Sequence, residues 1–286
     1  MMIGNRNLVA APSAQIGTML LERGVLSQEQ ADQVVRYQRE HKLRFGEAAL
    51  ALGMIDHGDL REVLATQFDY PVLQPGDGQL HDALSTAYFP HSRFAEKLRS
   101  LRSQILLQLG RDNGKVVAVI GDKRAGVSHV TANLAVVNAQ SGEQTLLLDG
   151  NLRAPVLRSW FKLDEPYGLA DALANRVPFE QVVNRIPAID WLSVMPAGSS
   201  APNPQELLVR PSFGQFVASA RQRYGLTLID CPSVADVADA QLIARHCDAV
   251  LVVVRKHHSR LNALTPVIES LRDRGIQLLG VVGNAY

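Results

Sequence analysis

From residue 116 onward, short apolar runs alternate with stretches of helical periodicity. The runs lie at 116–120, 145–148, 191–194, 226–229, 249–254 and 278–282. Continuous apolar strands separated by helices predict a parallel sheet covered on both faces, an α/β fold. A helix, FAEKLRSLRSQILLQL, precedes them from Phe94. Nearer the start the pattern changes. Residues 15–38 and 44–67 repeat one another over 24 positions each, separated by the five residues REHKL. Gly17 aligns with Gly46, Gly24 with Gly53, and Gln38 with Gln67. Each copy predicts a short helix, a glycine stop and a second helix, with Ser27 and Asp56 as N-caps. Residues 73–92 carry Pro, Gly and Ser with little periodicity and predict a linker. The expected organisation is a helical domain over 14–72, a linker over 73–92 and an α/β domain over 93–286.

Composition narrows the function classes. The 286 residues carry a formal net charge of +1, which gives no reason to expect electrostatic binding to nucleic acid or anionic lipid. The two cysteines, Cys231 and Cys247, fall in core-like segments, as in a reducing compartment. No apolar run approaches the roughly 18–20 residues of a membrane span, and the first 14 residues lack a signal-peptide core. The expectation is a cytoplasmic chain with no span of its own. The eight histidines show no metal-ligand spacing with the cysteines.

The chemistry starts where the first strand ends. Gly121-x4-Gly126-Val127-Ser128 follows strand KVVAVI and opens the helix HVTANLAVVNAQ. Strand, loop and helix in this order make a P-loop: glycines let backbone N–H groups curl round a phosphate, and Ser128 is placed to reach Mg²⁺. Val127 stands where the pattern has lysine. A missing charge-assisted contact costs about 1.5–3 kcal/mol of binding. Lys123 and Arg124, inside the loop, are the available substitutes. Asp149 and Asp230 close two later strands, LLLD and LTLID. In an open parallel sheet both face the crevice beside the P-loop, a set suited to holding Mg²⁺ or its water shell and to accepting a proton. The structural alternative for each is a helix-capping aspartate.

Taken together, residues 94–286 resemble a bacterial tyrosine kinase domain of the polysaccharide chain-length type, the EpsG group, related to the MinD and ParA ATPases. Glu96-x2-Arg99-x2-Arg102 is similar to that family's oligomerisation motif, GVSHVTANLA to its P-loop helix, LLLDGNLRAP to its second Walker motif and LIDCPS to its Walker B strand. The resemblance implies a P-loop NTPase fold, ATP and Mg²⁺ as cofactors, and Arg153, Pro202 and Asn203 near the nucleotide. It also implies homo-oligomers and a partner, the cytoplasmic end of an inner-membrane polysaccharide co-polymerase (EpsF-like). Three departures stand out: Val127 for lysine, His129 for threonine and Asn151 for an aspartate. The resemblance also implies a tyrosine-rich tail after the last strand, and the expectation from these residues, in which Tyr286 is the one tyrosine after that strand, is that such a tail is lost.

The repeat resembles the amino-terminal domain of type II secretion and pilus ATPases, in the MshE-type variant that binds cyclic di-GMP. Gly17, Leu20, Gly24 and Gln38 in copy one, and Arg44, Gly46, Gly53 and Gln67 in copy two, keep its pattern, while Gln15 replaces the first arginine. Three functions follow as expectations. The first is a regulatory, pseudokinase-like component of exopolysaccharide chain-length control or export. The second is an active ATP-dependent tyrosine kinase. The third is a cyclic di-GMP receptor or docking protein on a passive P-loop scaffold.

Overall fold

The computed structural model describes residues 12–56, 58–60, 63, 73–110, 114–234, 238–259 and 261–285. The chain divides into two compact units, Met1–Val72 and Leu73–Tyr286.

In the smaller unit, helices α1 (Pro12–Glu22), α2 (Gln28–His41) and α3 (Phe45–Ala51) follow the repeat. Gly24 and Gly53 take φ of +69° and +65°, the left-handed turn that stops each first helix. Ser27 caps α2 by accepting from Gln30 N at 3.2 Å, and Asp56 Oδ1 accepts from Asp59 N at 2.8 Å. The core gathers Leu20, Leu26, Val34, Phe45 and Ile55. Two motif glycines are packing positions. A Cβ on Gly17 would lie 3.3 Å from the Phe45 ring, and one on Gly46 would strike Leu60.

The larger unit begins earlier than expected. Residues 73–92 are no linker: Leu80, Leu84, Ala87 and Tyr88, around helix α4 (Ser85–Tyr88), are buried in its core. Composition misled here because the segment's apolar residues are few, yet they recur three or four apart and bury one face. Its polar groups are also spoken for. Tyr88 OH donates to Leu80 O at 2.7 Å, and Thr86 N and Oγ1 each donate to Asn133 Oδ1 at 2.9 Å.

Helix α5 (Arg93–Leu109), capped by Ser92, leads to β1 (Lys115–Gly121) and α6 (Val127–Ala139). Then come β2 (Thr145–Asp149), α7 (Leu157–Trp160), α8 (Leu169–Leu173), β3 (Asn184–Arg185) and β4 (Leu192–Met195). Next are α9 (Pro204–Leu208), α10 (Pro211–Arg223), β5 (Leu226–Asp230), α11 (Asp239–Ala244), β6 (Ala249–Arg255), α12 (Leu261–Asp273) and β7 (Gln277–Asn284). The described strands form one sheet of order β3-β4-β2-β5-β1-β6-β7. Neighbours are parallel except β3, which runs antiparallel to β4 at the edge. Strand residues alternate between two cores. Val117 and Val119 face α5 and α6, while Val116, Ala118 and Ile120 face the other layer. This doubly covered sheet explains the unbroken apolar runs. Among the described residues, no helix is long and apolar enough to cross a membrane.

Candidate functional site

The site forms at the carboxyl end of β1, where the loop from Gly121 turns into α6. A Cβ on Gly121 would lie 2.5 Å from Val253 O, so the strand pairing itself demands glycine there. Ala125 N donates to Asp122 O at 3.0 Å and closes a tight turn in which Arg124 has φ +61°. Gly126, at φ +86°, is the N-cap of α6, and Val130 N donates back to its carbonyl at 3.0 Å. The loop borders a cavity of about 470 Å³. Its other walls are Asn151, Arg153, Val156 and Trp160 on one side and Cys231 to Ser233 on the other.

Val127 sits on the first turn of α6. It is 9% exposed and belongs to the core between the sheet and α5, with its Cγ2 packed towards Gly121. An aliphatic side chain thus fills the place from which a lysine would reach a phosphate. His129, the other departure in this turn, stacks on Phe94 at 5.2 Å, and burial pushes its pKa down, towards the neutral form. The loop's cations are the exposed Lys123 and Arg124.

Asp149 and Asp230 lie opposite one another in the β2–β5 register, both fully buried. Asp149 accepts from Asn151 N at 3.2 Å, Val156 N at 3.2 Å and Leu157 N at 3.1 Å. Burial pushes its pKa up to about 7 against those three bonds. No hydrogen bond of normal geometry reaches either oxygen of Asp230, although the Ser128 hydroxyl lies near enough to act on it. Burial, and then the charge of Asp149, push its pKa well up, opposed by the Ser128 hydroxyl. Two adjacent carboxylates, one without a donor, are an unsatisfied arrangement that a hard cation resolves. The residues fit Mg²⁺ in their donors, oxygen only with a hydroxyl nearby, but both carboxylates are buried below the cavity wall instead of lining it as the sequence predicts. Among the described residues, no group of three or more His, Cys, Asp and Glu gathers as a metal site.

The remaining expected positions scatter. Asn151 spends its amide on the turn, donating to Ala154 O and accepting from Ala154 N, both at 3.1 Å. Arg153 lines the cavity, but its Nε donates to the buried Asp239 Oδ2 at 2.8 Å. Pro202 and Asn203 lie elsewhere, on a separate cavity of about 210 Å³ that includes Asp171, Arg176 and Ser199. Burial raises the Asp171 pKa, but hydrogen bonds from Ser199, Gly168 and Arg176 outweigh it and hold the group below its ordinary value. On α5, Arg99 bonds Glu96 and donates to Pro90 O at 2.6 Å, and Arg102 donates to Val137 O at 3.5 Å. In the smaller unit, Leu20, Gly17 and Gly46 are buried, Gln38 is half-buried and Arg44 exposed. Gln67 and Tyr286 lie outside the described residues.

Two site residues escaped the sequence reading. Trp160 walls the cavity, stacked on His81 at 6.0 Å. Asn284 donates its Nδ2 to Ala125 O at 3.0 Å across 159 residues of sequence. Its place at the end of a parallel strand was the available signal, since such ends line the crevice of an open sheet.

No family model matches the chain. It is 36% identical over 200 residues to EpsB of Ralstonia solanacearum, a protein assigned as a tyrosine-protein kinase, covering 68% of this chain and 26% of that protein. The chain therefore spans about a quarter of the length of this relative. Against the tyrosine-protein kinase YwqD of Bacillus subtilis it is 30% identical over 196 residues, covering 68% of this chain and 82% of the relative. The crystal structure of the chimerical protein CapA2B2 matches with a TM-score of 0.66 at 30% identity, over 78% of this chain and 97% of that one. Strand order, P-loop, paired aspartates and these relatives agree: the chain belongs to the bacterial tyrosine-protein kinase family.

Proposed function

We propose that this chain is a regulatory, EpsG-like member of that family, acting in exopolysaccharide chain-length control or export through a degenerate nucleotide site. One observation carries the reading: Val127, mostly buried yet bordering the cavity beside the loop, stands at the position from which the P-loop lysine serves the phosphates. Lysine loss alone removes about 1.5–3 kcal/mol of binding and about a hundredfold or more in rate, where charge develops on the bridging oxygens. His129 held towards neutrality and Asn151 folded onto its own turn add no replacement. Asp149, Asp230 and Ser128 would hold Mg²⁺, which when bound neutralises charge developing on phosphate oxygens. A bound cation would offset the charge of the two buried carboxylates, and the reading is that the site would keep this role without efficient phosphotransfer. Arg153 is tethered to Asp239 and orders the turn carrying Asn151.

The partner in this reading is the cytoplasmic end of a membrane co-polymerase, docking on the nucleotide face. Helix α5, with Glu96, Arg99 and Arg102, provides the contact between copies of the chain. The front unit acts as a docking module, because Gly17, Leu20 and Gly46 are used for packing. The exposed Arg44 and half-buried Gln38 favour cyclic di-GMP as the second reading for this unit. Calorimetry with cyclic di-GMP separates the two: a saturable signal lost in Arg44→Ala establishes the receptor, and no signal leaves docking. Incubation with Mg-ATP followed by phosphotyrosine detection tests the degenerate site. The reading predicts no modification, whereas tyrosine phosphate that depends on Lys123 establishes an active kinase.

A further inference from the structure

We propose that Asn284, at the end of β7, is a positioning residue for the P-loop: it pins the Ala125 carbonyl so that the Ala125–Gly126 peptide presents its N–H to the cavity. The proposal rests on the phosphate-binding reading of this loop only for its consequence, not for the clamp.

Asn284 Nδ2 donates to Ala125 O at 3.0 Å. In a trans peptide the carbonyl and the following N–H point to opposite sides of one plane. Holding the Ala125 oxygen towards β7 therefore fixes the Gly126 N–H on the other side, where the loop encloses the cavity. This peptide needs holding. Gly126 at φ +86° follows it, and glycine tolerates either orientation of the preceding peptide. The clamp is itself anchored. Asn284 pairs with Arg255 in the β6–β7 register, and its carbonyl accepts from Lys256 N at 3.0 Å. It also explains Gly126 a second time, because any side chain there would collide with Asn284 Nδ2. A P-loop that lacks its lysine depends on backbone N–H groups to meet a phosphate, which raises the weight of whatever orients them.

The test uses the full chain with Asn284→Ala and Asn284→Asp, the second keeping the shape but losing the donor. Hydrogen exchange of the ligand-free proteins is read at amides 123–128 and at β1 and β5, and calorimetry with Mg-ATP is run beside it. We expect both variants to exchange about two- to tenfold faster in the loop, with the two strands unchanged, and, when each is added to Val127→Lys so that affinity can be read, to bind Mg-ATP weaker by a similar factor. Loop exchange equal to the wild type overturns the proposal. So does a loosened loop that, added to Val127→Lys, binds Mg-ATP as well as Val127→Lys alone. No Mg-ATP binding by Val127→Lys, beside variants with faster loop exchange, supports the clamp and counts instead against nucleotide binding.

Discussion

A valine at position 127 changes what the P-loop can do without disturbing its shape, because the glycines, the helix N-terminus and the Asn284 contact are all kept. The paired carboxylates below the loop make a separate prediction. Both titrate above the unfolded aspartate value of about 3.9, Asp149 at about 7. A raised carboxyl contributes stability that is complete below the unfolded value and is lost as pH rises through the folded one. The metal-free fold should therefore lose stability from about pH 4 through about pH 7. Asp230→Asn removes the unbonded charge and should stabilise the metal-free protein at pH 8 by about 1–3 kcal/mol, with little effect at pH 4. Urea midpoints at the two pH values check this; an equal effect at both would contradict it. The paired aspartates, both P-loop glycines and Ser128 were legible in the sequence, because strand-end aspartates and loop glycines sit at fixed places in a parallel sheet. Asn284 was not read, because its partner is 159 residues away and its one signal, a place at the end of a parallel strand, does not name that partner.

At the scale of elements, the apolar runs carried the sheet. The six strands longer than two residues fall on them, since strands buried on both faces have nowhere to place polar residues. The strand that escaped, Asn184–Arg185, is a two-residue polar edge. The segment 73–92 was misread because its Pro, Gly and Ser outweigh a few anchors that dock on α6. Asn133 is central to that docking. It accepts from Thr86 twice and donates to Ala83 O at 2.8 Å and His129 O at 2.9 Å. Asn133→Ala strands these buried groups and should lower stability by about 3 kcal/mol, read by urea denaturation. A loss below about 0.5 kcal/mol would mean that the segment is not fastened there. In the front unit, Gly46→Ala puts a methyl group against the end of Leu60, and the clash, net of the helix propensity Ala gains, should destabilise by about 0.5–2 kcal/mol. The unfolding transition of the smaller unit should shift while that of the α/β unit stays in place; a shift of neither would contradict the packing role.

At the scale of the whole molecule, two compact units share one chain, and the larger carries the family likeness. The smaller unit's repeat was visible from spacing alone; of its regular positions Gly17, Leu20 and Gly46 pack in the core, while Gly24 and Gly53 turn the chain. The central proposal concerns the larger unit: a P-loop with Val127 at the lysine position, and Lys123 and Arg124 as the loop's cations, is a degenerate nucleotide site. Calorimetric titration with Mg-ATP of the wild type and of Val127→Lys tests this most directly. The account predicts no saturation of the wild type below about 1 mM, and an affinity gain of about ten- to a hundredfold in Val127→Lys. Micromolar binding by the wild type, unchanged by the added lysine, would contradict it.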